Sequence, residues 1–383
     1  MKKFTLILAT VALLAAGCSK TEVVGPQNRK GINFAAYTAK TTKAAQEDVT
    51  RTNLTKFEVT AFGNGALYFD NVTFEKHTTN NITVWESNPK YFWPAFPLTF
   101  CAYNTPIVYQ NPAHITGFKR RINTRTQELE LDVAPAKELA YQQDLVAAYA
   151  EDKKESDATS TGKSLSLTFN HYLTQVIVKA KNVRHETYKV VVDSVKIANM
   201  VGQGKYTFRT NIMEAPEEII NHEYSIDYKA GFPAKTLTSV AQAVMPNINN
   251  GNGRWYLIPQ SVTSWDPETN RTNTNHGTYL ALKVKITANS GALKIYPATG
   301  ENSGWMAVPI PSELAFAQGK KYIVTINFFA KNGAGYVDPE AGSDLNGDGI
   351  ANDNGKKIIG GEIKFDANVN EWDDQNNNIE IYL

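Results

Sequence analysis

The segment LALKVKIT, residues 280–287, decides the fold class. Its apolar residues alternate with alanine, lysine and threonine, so an extended chain has one apolar and one more polar face. The same period of two recurs in five other sets of apolar residues: Ile32, Phe34 and Ala36; Phe57, Val59 and Ala61; Leu165, Leu167 and Phe169; Tyr322, Val324, Ile326 and Phe328; Ile363, Phe365, Ala367 and Val369. Such alternation is typical of antiparallel sheets packed face to face, and we predict an all-β protein.

A polar segment in the middle of the chain suggests a domain boundary. The chain has 383 residues, a length typical of two to three domains. Residues 151–163, EDKKESDATSTGK, are almost all charged or hydroxyl-bearing, as in an exposed linker or a long hairpin tip. We place the boundary there, which predicts an N-terminal β-sandwich at 31–150 and a C-terminal β-sandwich at 164–383.

The N-terminus has the pattern of a signal peptide. Lys2 and Lys3 precede the apolar run 4–16, which is shorter than the roughly 20 helical residues that span a bilayer. The sequence LAAGC at 14–18 resembles the lipobox of bacterial lipoproteins. This resemblance implies removal of residues 1–17 by cleavage between Gly17 and Cys18, acylation of Cys18, and a polar tether at 18–30. The alternative is an ordinary secretory signal with a chance cysteine.

Charge and motif content disfavour several function classes. Lys and Arg total 39 against 38 Asp and Glu, whereas a nucleic-acid partner requires a basic face. The two cysteines, Cys18 and Cys101, are too few for a disulfide scaffold or a thiolate metal cluster. The six histidines lack metal-ligand spacing, and neither a Gly-x-Ser-x-Gly elbow nor a phosphate-binding glycine loop is present. We therefore predict a protein that is not an enzyme.

One segment has the spacing of a calcium loop. In DLNGDGIAND, residues 344–353, oxygen ligands occupy positions one, three and five, and a glycine occupies position six. Position twelve is Gly355, where a bidentate acid belongs, so Asp353 or Asn352 would have to substitute. The candidate ligands are Asp344, Asn346, Asp348, the carbonyl of Ile350, and Asp353. The alternative is a polar turn without an ion, and no other cofactor is predicted.

An aromatic run allows two interpretations. It comprises Tyr91, Phe92, Trp93, Phe96 and Phe100, interrupted by Pro94 and Pro97. Planar rings exposed side by side would form a platform for sugars. A core strand entered through a proline kink is the other interpretation.

Several short segments follow one another in a characteristic order. After the Cys18 motif come FEVTAF (57–62), Trp85 with YFWP (91–94), LTFCAY (98–103), DLVAA (144–148), FNHYL (169–173), LIPQ (257–260), QGKKY (318–322) and the strand at 363–372. Their order and spacing resemble those of the fimbrillin-like lipoproteins of Bacteroidetes, in the type V pilin superfamily. The resemblance implies two tandem transthyretin-like antiparallel β-sandwich domains behind a lipoprotein signal peptide.

The resemblance also implies a mode of assembly. In polymerising members an arginine-specific protease removes the first strand, and the groove left behind accepts a strand from another subunit, which is β-augmentation. Here the candidate displaced strand is 31–40, with Ile32, Phe34 and Ala36 facing inward, and the candidate cut site is Arg51. Anchor members and some tip members keep this strand, and Arg51 is then an ordinary loop residue.

Two functions follow as hypotheses. The first is a stalk, tip or anchor component of a cell-surface fimbria, lipid-anchored in the outer membrane, with other fimbrial subunits and a host or bacterial surface ligand as partners. The second is an outer-membrane glycan-binding lipoprotein. The C-terminal segment 379–383 alternates and could close its own sheet or be donated to another subunit.

Overall fold

The computed structural model describes residues 30–38, 53–104, 118–215, 225–248, 251–291, 293–299, 303–340, 345, 350, 352–361, 363–371 and 379–382. The strands are numbered in chain order: β1 (Phe34–Thr38), β2 (Lys56–Gly63), β3 (Ala66–Thr79), β4 (Ile82–Ser87), β5 (Leu98–Tyr103), β6 (Lys119–Asn123), β7 (Glu128–Val133), β8 (Val146–Lys153), β9 (Leu165–His171), β10 (Thr174–Asn182), β11 (Tyr188–Val201), β12 (Gly204–Thr207), β13 (Ile212–Glu214), β14 (Ser225–Thr236), β15 (Gln242–Ala243), β16 (Asn247–Ile248), β17 (Gly251–Asn252), β18 (Trp255–Leu257), β19 (Tyr279–Ala288), β20 (Lys294–Tyr296), β21 (Gly304–Pro309), β22 (Lys320–Phe328), β23 (Tyr336–Val337), β24 (Lys364–Glu371) and β25 (Ile379–Tyr382). Short 3-10 turns lie at Leu139–Tyr141 and Glu155–Asp157. The prediction of an all-β fold is confirmed.

The first unit is a closed barrel. Its strands follow the order β1, β4, β3, β2, β5, β8, β9, and β9 pairs with β1 to complete the circle. The barrel is filled by aromatic and aliphatic side chains, among them Phe57, Phe74, Trp85 and Phe169. Closure removes the exposed strand edges that an open sheet would present.

The second unit is a β-sandwich of two sheets. One sheet has the order β15, β10, β22, β24, β25, with β18 also paired to β10. The other has the order β14, β11, β19, β21, β23, with β20 paired to β19. The segment 280–287 lies in β19, and its residues Leu280, Leu282, Val284 and Ile286 all belong to the core between the sheets. The alternation therefore predicted the inward face correctly.

A third sheet joins the two units. Its order is β13, β12, β7, β6, and the pairing of β7 with β12 sets Glu130–Val133 beside Gly204–Thr207. A separate buried core lies here, which includes Phe62 and Tyr103 from the barrel. This is why β5 is buried along its whole length, on both faces, rather than alternating.

The segment 151–163 is not a linker between domains. It contains the end of β8 and the turn that leads to β9, and these strands pair at Val146 with His171 and at Ala147 with Asn170. The segment is thus a hairpin tip, and β9 extends the first unit beyond the predicted limit of residue 150. A linker and a hairpin tip are both solvated, so composition does not distinguish them.

The strand directions differ in two places from a purely antiparallel pattern. β1 runs parallel to β9, and β10 runs parallel to β22. Among the described residues, none forms a helix with the length and apolar character needed to cross a membrane.

Candidate functional site

The β1 site is the position that strand β1 occupies in the barrel, between β4 and β9. β1 pairs with β9 over five residues, from Phe34 opposite Leu165 to Thr38 opposite Phe169. On its other side it pairs with β4 at Phe34 opposite Trp85. β1 therefore closes the barrel, mostly through hydrogen bonds to a single neighbour.

The side chains of β1 and the residues before it fill the barrel core. Ile32, Phe34 and Ala36 expose 1%, 0% and 0% of their surface, as their alternation predicted. The ring of Phe34 has centroid distances of 4.7 Å to Phe74 and 5.3 Å to Phe100. Burying a Phe or Ile side chain contributes about 1.5–3 kcal/mol. A strand in this site thus contributes core packing as well as main-chain hydrogen bonds.

The chain just before β1 is held by the aromatic run. The backbone N–H of Ile32 donates to the carbonyl of Tyr91 at 2.8 Å, and that of Trp93 donates to the carbonyl of Lys30 at 3.1 Å. Trp93 and Phe100 are buried and meet edge to face at 5.6 Å. Tyr91 and Phe96 are partly buried and pack against the same core. The burial of this run therefore favours the core interpretation over a platform of exposed rings.

The chain that follows the candidate cut site is held by residues of β3 and β4. Leu54 is buried, and its carbonyl accepts a hydrogen bond of 3.2 Å from the indole Nε1 of Trp85. The N–H of Lys76 donates to the carbonyl of Thr55 at 2.8 Å. The start of β2 is thus bonded to β3 and β4 by hydrogen bonds in which no β1 residue takes part.

The geometry of the β1 site suits strand addition. Without β1, the edges of β4 and β9 would lie open beside a groove lined by Phe57, Trp85, Leu165 and Phe169. An extended segment from elsewhere could pair with the same edges and place alternate side chains in the groove. An unfilled groove of this kind exposes both strand edges and apolar surface, which favours association.

Other predicted site residues are placed as follows. Gly17, Cys18 and Arg51, and the calcium-loop residues Asp344, Asn346 and Asp348, lie outside the described residues. Lipidation, signal cleavage and proteolytic processing therefore stay predictions.

The described end of the candidate calcium loop has protein partners. Asp353 is buried, and its Oδ2 accepts a hydrogen bond of 2.6 Å from the N–H of Leu345. Its Oδ1 forms an ion pair with Lys356. Ile350 is exposed. Within the described ranges, no cluster of three or more His, Cys, Asp or Glu is arranged to hold a metal, and calcium binding stays a prediction.

The C-terminal strand β25 pairs within its own chain. It lies antiparallel to β24, with Val369 opposite Ile379 and Asp366 opposite Tyr382. β25 is thus an edge strand that closes one sheet of the sandwich.

Two buried polar features lie near the junction of the units. His171 Nδ1 lies 2.7 Å from Asp144 Oδ2, and the side chain of Asn104 bonds the carbonyl of Asp144 at 2.9 Å and the N–H of Val146 at 2.8 Å.

Cys101 is buried on β5, and burial raises the pKa of its thiol far above the ordinary value.

Comparison with known proteins identifies relatives of this fold. The sequence model described as fimbrillin-like matches residues 21–340. The fold resembles that of a fimbrial protein from Bacteroides vulgatus, with 16% identity, a TM-score of 0.56, and coverage of 90% of this chain and 100% of that chain. It is also similar to the fimbrial anchor protein Mfa2 from Porphyromonas gingivalis, with 12% identity, a TM-score of 0.35, and coverage of 89% and 97%. A search of curated protein sequences found no match.

Proposed function

Because the chain belongs to the fimbrillin-like family, we propose that it is a structural component of a cell-surface fimbria that assembles by strand addition at the β1 site. The observation that carries the proposal is the position of β1. Ile32, Phe34 and Ala36 fill the barrel core, and residues 39–53 connect β1 to the buried Leu54. One cut in this connection would therefore detach β1 without removing any other strand of the part of the chain that the structure describes.

In this proposal a protease cuts after Arg51. The cut leaves β1 bound only by noncovalent contacts, chiefly its five-residue pairing with β9. An extended segment of another fimbrial subunit then replaces β1 and restores the paired barrel. β25, whose intramolecular pairing holds only four residues, is a candidate for the donated segment.

Membrane attachment and strand exchange are successive states in this proposal. Acylation of Cys18 would hold the uncut precursor in the outer membrane. A cut after Arg51 would separate Cys18 from the barrel, so the released subunit would be attached through the fimbria instead. A chain that is never cut would keep its lipid and serve as an anchor. Labelling with radioactive palmitate, with a Cys18→Ala variant as control, tests this attachment.

The test is limited digestion of the secreted full chain with an arginine-specific protease. We expect one cut after Arg51, followed by a ladder of multimers on SDS gels. The Arg51→Ala variant should remain uncut there and monomeric, whereas Arg29→Ala, the matched control upstream of β1, should behave as the parent. If the chain cut after Arg51 stays monomeric and retains β1, strand addition is refuted.

A competition experiment tests the β1 site itself. A synthetic peptide of residues 31–40, GINFAAYTAK, should occupy the open groove and suppress the ladder. The same peptide with Phe34→Asp should fail, because it would place a charge among Phe57, Phe74 and Phe100. Equal suppression by both peptides would contradict a role for the Phe34 pocket.

A further inference from the structure

A lysine and an aspartate are buried together on the outer face of the β11 sheet. Lys196, on β11, is 4% exposed, and Asp338, just after β23, is 0% exposed. Lys196 Nζ lies 2.8 Å from Asp338 Oδ2. A second acid, Asp227 on β14, has its Oδ2 3.9 Å from the same nitrogen.

The register of the sheet explains how these residues meet. Lys196 is opposite Ala281 on β19, Ala281 is opposite Ala307 on β21, and Ala307 is opposite Tyr336 on β23. Lys196 and Asp338 are therefore separated by two strands. The methyl side chains of the two alanines leave room for the lysine to reach across. Larger residues at these two positions would block that path.

Aromatic rings border this path. Lys196 Nζ lies 4.9 Å from the ring centroid of Tyr279 and 5.7 Å from that of Trp305. Tyr279 and Trp265 are buried in the same outer-face cluster. The amine and the carboxylate are thus shielded from solvent on this face of the sheet.

Tyr279 connects the two charged groups. Lys196 Nζ donates to the hydroxyl of Tyr279 at 2.9 Å, and this hydroxyl donates to Asp338 Oδ1 at 3.0 Å. Burial, followed by the negative charge of Asp338, raises the pKa of Tyr279 far above its ordinary value. The phenol therefore stays protonated and can pass a proton from one partner to the other.

We propose that Lys196 and Asp338 condense to form an amide cross-link between their side chains. The ammonium first transfers one proton to the carboxylate through Tyr279, which leaves a neutral amine and a neutral carboxyl group. Nζ then adds to the carboxyl carbon of Asp338 and forms the C–N bond. The C–O bond breaks, and one water leaves with that oxygen, the transferred proton and a second proton from Nζ. The reaction needs no oxidant, reductant or co-reactant.

Two physical effects favour this reaction at this position. The fixed contact holds the amine beside the carboxyl group, so that the reaction is intramolecular and needs no bimolecular encounter. Two charges in a dry site carry a desolvation cost, and conversion to a neutral amide removes it. The product would tie the first strand of this sheet in chain order, β11, to the last, β23.

Peptide mapping of the full chain tests the proposal without any variant. Trypsin does not cut after an acylated lysine, so we expect peptide 190–205 joined to peptide 332–356, with a mass lower than their sum by one water. Complete recovery of the separate peptides 190–196 and 332–356 from a sample incubated for days would overturn the proposal.

Two variants define the chemistry. Lys196→Arg keeps the positive charge beside Asp338 but should give only linear peptides, because its guanidinium is a poor nucleophile. Tyr279→Phe removes the proton relay and should slow the appearance of the joined peptide by about a hundredfold. An unchanged rate in Tyr279→Phe would contradict the relay, and joined peptides in Lys196→Arg would contradict the assignment to Lys196.

Discussion

Replacing Phe34 by alanine should loosen β1 more than any other single truncation within this strand. Phe34 is fully buried and contacts three rings, those of Phe57, Phe74 and Phe100, at centroid distances of 4.7 to 6.0 Å. Truncation of a core phenylalanine costs about 3–5 kcal/mol, from lost transfer free energy and the cavity left behind. We expect a loss in this range in the free energy of unfolding of the barrel.

Tyr37 provides the matched control. It is an aromatic residue on the same strand but only partly buried, so Tyr37→Ala should cost about 1 kcal/mol or less. Urea unfolding gives the total loss for each variant. Amide hydrogen exchange in β9 shows whether this loss lies in the barrel. A loss of about 3 kcal/mol in the free energy of unfolding corresponds to exchange about a hundredfold faster.

Two results would refute this reasoning. Equal losses in Phe34→Ala and Tyr37→Ala would show that the inward face of β1 is not the one assigned. A loss confined to the sandwich, with the exchange of β9 unchanged, would show that Phe34 does not hold the barrel closed. In a chain cut after Arg51, we also expect Phe34→Ala to release the β1 peptide faster than the parent does.

Three further predictions concern the barrel. Burial of Asp70 opposes its ionisation, but hydrogen bonding from Arg120 outweighs this and lowers the pKa of Asp70. The ionised Asp70 therefore stabilises the folded protein at pH values above the unfolded pKa of about 4, and this stabilisation is lost as the pH falls further. Acid titration of unfolding should thus show a smaller loss of stability below pH about 4 in Asp70→Asn than in the parent, and equal losses would contradict the ion pair. Trp85→Phe removes the hydrogen bond to the Leu54 carbonyl. Because a buried carbonyl loses its donor, the free energy of unfolding in urea should fall by about 1–3 kcal/mol. An unchanged urea midpoint would show that this bond does not stabilise the fold. Cys101, buried with a raised thiol pKa, should resist iodoacetamide in the folded protein and react after denaturation, as followed by mass spectrometry; rapid labelling of the folded protein would contradict this.

Local sequence patterns predicted the strands well where one face of the strand is buried. The alternation at 280–287 and at Ile32, Phe34 and Ala36 identified both the strand and its inward side. The burial of both faces of β5 could not be predicted from alternation, because its second face is covered by a sheet whose strands come from distant parts of the chain. The position of residues 151–163 depends on which strands pair across them, and composition carries no such information.

The β1 site could be predicted in part. Its inward residues follow from a period of two, whereas its neighbours, β4 and β9, follow only from pairing. The contact between Lys196 and Asp338 is a stronger example, because it depends on the register of four strands. Long-range register is set by the whole sheet, so no local window of sequence contains it.

The pairing of β7 with β12 has a mechanical consequence. Four residue pairs of main chain, together with a buried core, connect the barrel to the sandwich. A force that pulls the barrel away from the sandwich would have to break this pairing and expose this core. We therefore expect the two units to resist separation and to move together when the subunit is stretched.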